Sequence, residues 1–218
     1  MGAFQGGMTF RRYTVEGELP KDFRDRFHQG ITKYTFRPID PGGEEERALG
    51  WADALFPLEP EIFPERYRFD EYIVLSLRID TLSVPGSLLK LYTEAECKRY
   101  MAEHQKESMN RYEKAEAKER VKLELRRKLL PGIKVIDMVW NLTEGQVRFF
   151  ASAEKINMEF MELFEQTFEL QLIPDSPFTA GLYGGGPVLT EAQRERLERV
   201  DPTVFVSADV MAAAMTEV

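Results

Sequence analysis

Apolar and polar positions along this chain fall into short patterns separated by proline, glycine and acidic breaks. The stretch 8–17, "MTFRRYTVEG", mixes aromatic, β-branched and basic residues in partial alternation and ends at Gly17, which predicts a strand. Behind Pro20, Phe23, Phe27 and Ile31 recur every four residues, the pattern of a helix that packs one face on a sheet. "KYTFRPI" at 33–39 predicts a short returning strand, and "DPGGEEER" at 40–47 an exposed turn with an acidic run. Pro57, Pro60 and Pro64 forbid a regular long helix in 49–69. "EYIVLSLRIDTL" at 71–82 is the strongest strand pattern in the chain.

A helical pattern follows. Thr93 with Glu96 three residues later has the form of a capping box, and the helical signal continues to Leu130 before Pro131 and Gly132 stop it. Unbroken, such a helix would be roughly 55 Å long, more than a small domain is wide. Ser108 and Asn110 mark the place for a break, because both residue types are poor in helix interiors. Then come "IKVIDMVWNL" and "QVRFFAS", two strands joined through Gly145 as a hairpin. A helix at 153–168 carries Ile156, Phe160, Leu163, Phe164 and Phe168 on one side, and "ELQLIP" at 169–174 reads as a last strand. A glycine-rich loop at 175–187, a capped exposed helix and a short apolar tail complete the chain. The expected fold is α+β, with mainly antiparallel sheets, packed helices and one long projecting charged helix at 93–130. The expected organisation is a flexible leader at 1–7, a core at 8–177, and a loop, helix and tail at 178–218.

Charge changes the picture at one place. The 218 residues carry a net charge of −8, yet between Lys98 and Lys134 twelve Lys or Arg face six Glu, a net of +6. Lys114, Lys118, Lys122 and Arg126 follow one another at i+4 steps and predict a basic ridge on the helix. Glu107–Arg111, Glu116–Arg120 and Glu124–Lys128 are acid-before-base pairs at the same spacing and support the helix. From 106 to 120 the sizeable apolar residues are Met109 and Tyr112. Further along, Val121, Leu125 and Leu129 lie on one side and Leu123 and Leu130 on nearly the opposite one. The C-terminal end is therefore expected to be buried from two directions, with the rest projecting. A charge run of this kind is either a solvated or dimerising helix, or a surface that contacts phosphates.

Composition excludes much else. One cysteine, Cys97, makes no intrachain disulfide and points to a reducing cytoplasm. With only His28 and His104 besides, a closed zinc site lacks ligands, and nucleophile–base pairs are poorly supported. No cofactor, metal or catalytic residue is assigned. "GLYGGGP" at 181–187 lacks the Lys-Ser/Thr of a phosphate-binding loop. Asp80 and Asp137, at strand ends, are the acids to test for a metal-dependent nuclease. No apolar run is long enough to span a bilayer as a helix.

Several stretches in series resemble the RdgC family of recombination-associated DNA-binding proteins. They are "TFRRYTVEG", "GW" at 50–51, "YIVLSLRIDTLSVPGSLLK" at 72–90, the charged helix ending "LLPG" at 129–132, "MVWNLTEGQVRFFASAEK" at 138–155 and "LFEQTFELQLIP" at 163–174. The resemblance implies a cytoplasmic, nucleoid-associated homodimer without catalytic activity. It implies duplex DNA held without regard to sequence, so that a RecA-type recombinase is restrained. It also implies that 178–218 stands where the family carries a larger subdomain. Lys106, Arg111, Lys114, Lys118, Lys122, Arg126, Arg127 and Lys134 are the expected phosphate contacts. The alternatives are a protein–protein module built on the charged helix, and the nuclease.

Overall fold

The computed structural model describes residues 2–4, 9–176, 178–179 and 189–199, and the chain separates into two compact units, Met1–Ile173 and Pro174–Val218. The strands of the first unit are β1 (Arg11–Glu16), β2 (Arg47–Ala52), β3 (Arg68–Phe69), β4 (Tyr72–Thr81), β5 (Gly132–Asn141), β6 (Gln146–Phe149) and β7 (Gln171–Pro174), the last of which runs into the second unit. They form one sheet in the order β2-β4-β5-β6-β1-β7, with β3 also paired to β4. The pairs β2–β4, β3–β4, β4–β5, β5–β6 and β6–β1 are all antiparallel, which agrees with the α+β expectation.

Helices α1 (Phe23–Lys33) and α5 (Glu154–Phe168) cover one face of this sheet. Alternation in β4 places Ile73, Leu75, Leu77 and Ile79 on that face, opposite Trp140, Met138 and Ile136 of β5 for the first three. Phe27 and Ile31 of α1 and Phe160, Phe164 and Phe168 of α5 close the core over them, as their four-residue spacing requires. Most polar groups inside this core are paired, the exception being the Trp140 indole nitrogen, which has no partner among the described residues. Trp51 Nε1 donates to Thr167 Oγ1 at 2.7 Å, and the Thr167 hydroxyl donates to the Leu163 carbonyl. Tyr13 donates its hydroxyl to Asn157 Oδ1, while Asn157 Nδ2 donates to the carbonyls of Ala151 and Ala153.

Burial pushes the Tyr13 phenol up to about 12, against a partial offset from Arg11. Raised in the folded state, this group contributes stability in full below its unfolded pKa of about 10 and loses it as pH rises through 12. In an ultraviolet titration Tyr13 should therefore ionise after the exposed tyrosines, as should Tyr67, which burial also raises, and Tyr13→Phe should remove one tyrosine from this late step. A single tyrosine transition near pH 10 for all eight would contradict it.

The opposite sheet face is partly buried, at Val74, Ser76, Asp80 and Asp137, and carries polar contacts. Ser76 donates to Asp137 across β4–β5, and the Ala3 amide donates to the same carboxylate at 2.7 Å. This part of the expected leader is therefore seated on the sheet.

Three local expectations are corrected. The segment 33–39 is no strand; α1 runs to Lys33, and only a parallel bridge, Thr35 to Trp51, remains. The strand is instead β2, hidden in the proline-spaced stretch and its acidic approach. The long helix is two helices, α3 (Gly86–Glu103) and α4 (Arg111–Lys128), with a short α2 (Pro64–Tyr67) earlier. Thr93 is no cap: it lies inside α3 and its hydroxyl donates to the Leu89 carbonyl. The cap belongs to α4, where Asn110 accepts from the Glu113 amide and Glu113 from the Asn110 amide. The break thus falls where Ser108 and Asn110 suggested it. In the second unit, α6 (Glu191–Glu198) carries a capping box at Thr190. The apolar tail at 202–218 lies outside the described residues. Among the described residues no helix is long and apolar enough to cross a membrane.

Candidate nucleic-acid interface

The two charged helices fold back on one another in place of a single projecting arm. Arg120 of α4 pairs with Glu96 of α3, and Lys106, in the connection, pairs with Glu113. These pairings nest around the 104–110 turn, so the helices run antiparallel. Glu96 is the centre of the contact, since Arg99 also donates to it at 2.8 Å. Burial pushes Glu96 up, but Arg99 and Arg120 outweigh it and leave the carboxyl below its ordinary range. Lys106 does the same to Glu113 by donating to it. Helix α3 buries no side chain fully, whereas α4 buries Ala117, Val121, Leu125 and Arg126. The seat of the hairpin is therefore the second half of α4.

Around α4, with ~3.6 residues per turn, Lys114 and Lys118 stand about two turns before Val121 and Leu125 on nearly the same azimuth. The side of the helix that is buried at 121 and 125 is thus exposed at 114 and 118. Arg111, Lys114, Lys118 and Lys122 fall within about 80° of arc on that side. Arg111, Lys114 and Lys118 are exposed and make no ion pair with any described residue. This arc is the surface on which the hairpin can meet an anionic ligand.

The other five expected contacts are placed differently. Lys122 shares the arc but donates to Glu46 at 2.9 Å. Arg126 is only 3% exposed; its guanidinium donates to the Glu45 carbonyl at 2.6 Å and the Glu44 carbonyl at 3.4 Å. It holds the 44–46 loop and is withdrawn from the ridge. Arg127 is exposed but stands ~2.5 turns from Lys118, on the far side of the helix. Lys106 is occupied by Glu113 and lies over the Tyr100 ring. Lys134 is exposed on β5, opposite Ile79, and belongs to the sheet. The i+4 spacing gives Lys114, Lys118 and Lys122 of the arc; its drift of about 40° per step carries Arg126 off the arc, where the 44–46 loop covers it.

One apolar expectation also shifts. Leu130 is 91% exposed and Leu123 is exposed, so the end of α4 is buried from one direction only. The proline-rich loop after β2 presents Leu55, Phe56, Leu58 and Phe63 to solvent. It is pinned by Asp53 Oδ1, which accepts from the amides of Leu55 and Phe56, and by Arg66, which stacks over both Phe56 and Phe63. Its anchors, Arg66 and Arg78, come from later elements, out of reach of local pattern. Arg78 donates to the Pro57 carbonyl at 3.1 Å.

The acids considered for nuclease chemistry do not converge. Asp80 accepts from Nε and Nη2 of Arg78, at 2.9 and 2.7 Å. Asp137 faces Ser76, four residues or about 13 Å from Asp80 along β4. Among the described residues no three His, Cys, Asp or Glu side chains group as metal ligands. Comparison with protein-family models finds no match, and comparison with curated proteins finds none either.

Proposed function

We propose that the chain is a non-enzymatic protein that binds duplex DNA without regard to sequence, in the manner of the RdgC proteins it resembles, and restrains a RecA-type recombinase by occupying DNA. The observation that carries this reading is the arc of Arg111, Lys114 and Lys118. These three cations are exposed, without acidic partners among the described residues, and set on one side of a helix whose next two turns are anchored in the body. Such a ridge suits phosphates, which reward positive charge and carry no base information. The remainder of the molecule is acidic and repels DNA, which leaves the hairpin as the route of approach. The exposed apolar residues of the loop at 55–63 support self-association into a homodimer, because clustered exposed apolar surface marks protein contacts. The nucleoid of the cytoplasm is the corresponding location.

The test is duplex binding as a function of salt. Three contacts give a log–log slope of about −2.7, so affinity should fall roughly 40-fold between 50 and 200 mM salt. A homodimer that sets two arcs on one duplex doubles the slope. The triple variant Arg111→Gln, Lys114→Gln, Lys118→Gln should lose this dependence equally on unrelated sequences while its thermal unfolding stays that of the parent. Parent protein that shows no salt-sensitive binding would sink the reading. The hairpin charge would then serve a protein partner, the alternative that the interleaved glutamates of α3 and α4 favour.

A further inference from the structure

The foot of the basic arc is already occupied by the protein's own acids. Glu46, in the "GGEEER" approach to β2, accepts from Lys122 at 2.9 Å and lies 3.9 Å from Arg126. Lys122 is the fourth member of the arc, and the carboxylate sits where a phosphate would meet it. Glu44 and Glu45 are adjacent, both exposed, and their carbonyls rather than their carboxylates are used by Arg126. The loop is therefore fixed by backbone contacts while the Glu46 carboxylate sits at the foot of the ridge and Glu44 and Glu45 remain exposed beside it. A cleft lined by Gly43, Glu44, Glu119, Lys122, Leu123 and Arg126 opens between loop and helix.

We infer that the acidic loop at 44–46 is a built-in competitor for the DNA phosphate at Lys122, which holds the affinity of the arc down and makes it adjustable. The inference rests on the DNA-binding reading of the same arc. Two physical arguments support it. Glu46 and Lys122 are both accessible, so their pair is weak enough for a phosphate to displace. The pair is nonetheless formed, at 2.9 Å, and Lys122 thereby holds Glu46 below the ordinary carboxylate range. Glu44 and Glu45 add repulsion at the same end. A ligand thus meets three open cations and one that must first be released. An acidic run beside a basic helix therefore acts as a brake rather than as a solvated turn alone.

The side-chain charges can be removed without unseating the loop, because Arg126 grips carbonyl oxygens. The variant Glu44→Gln, Glu45→Gln, Glu46→Gln should bind a 30-base-pair duplex about tenfold more tightly at 50 mM salt, with a slope steeper by about 0.9, the value of one added contact. A control with the same change in net charge is Glu16→Gln, Glu18→Gln, Glu144→Gln. Glu16 and Glu18 lie at or just after β1 and Glu144 in the β5–β6 turn beside β6, three to four strands and roughly 15–20 Å from β2 across the sheet. The control should leave the slope unchanged and shift affinity far less. Lys122→Gln should cost little in the parent and about tenfold in the acidic-loop variant. Equal effects of the two glutamate triples, or an unchanged slope with the parent still binding, would overturn this inference alone. Absence of DNA binding by parent and variants alike would overturn the DNA reading and the inference with it.

Discussion

Phe160→Ala should lower the free energy of unfolding by about 3–5 kcal/mol, the largest loss expected from a single side-chain truncation in this chain. Phe160 is 0% exposed and touches aromatic rings on four elements. It stacks on Phe149 of β6 at 3.9 Å and 4°, and meets Tyr13 of β1, Trp51 of β2 and Phe164 of its own helix. Truncation removes the transfer energy of the ring and leaves a cavity among rigid aromatic walls that collapse poorly. Against a typical total of about 5–15 kcal/mol, that is roughly a fifth or more of the stability. Urea titration would read it as a lower midpoint with an unchanged slope. Phe160→Leu, which retains most of the volume, should cost less than half as much. Equal losses for the two variants would show that the ring's surroundings relax and that this account of the core is wrong.

The second large effect is expected at Gly50. A Cβ built there lies 2.6 Å from Phe36 Cα, 2.7 Å from Phe36 N and 3.0 Å from the Tyr34 carbonyl oxygen. These are backbone atoms, so no rotamer change relieves the collision. The 34–36 segment crosses β2 at this point through two hydrogen bonds, Trp51 N–H to the Tyr34 carbonyl at 2.9 Å and Phe36 N–H to the Trp51 carbonyl at 2.8 Å. Gly50→Ala should push the segment away and cost about 3 kcal/mol, at the upper end for overpacking because backbone must move. Hydrogen exchange at the amides of Phe36 and Trp51 should accelerate while that of β4 and β5 falls only with global stability. A loss below about 0.5 kcal/mol, the level of an ordinary surface change, would mean that the crossing is loose. This geometry also supplies a reason for the "GW" pair: the glycine admits the crossing chain, and the tryptophan beside it fills the core.

Periodicity along the chain determined the elements whose partners are close or whose pattern is strong. β4, the β5–β6 hairpin with Gly145 at its turn, and α5 with its phenylalanine face all lie within a few residues of where alternation and four-residue spacing put them. The break before Arg111 was legible because Ser and Asn disfavour helix interiors. The arc of Arg111, Lys114 and Lys118 was legible because helical azimuth is a property of spacing alone. Tertiary structure decided what spacing does not encode. β2 exists because β4 offers it hydrogen bonds along six residues, although prolines follow it closely. The segment 33–39 remains a crossing because β2 took its place beside β4. Arg126 and Lys122 carry the same charge pattern as Lys114 and Lys118, yet the 44–46 loop, some eighty residues earlier in the chain, turns one into a structural anchor and the other into half of an ion pair. Local sequence sets where a side chain points on its helix; which distant backbone it meets depends on the path of the whole chain.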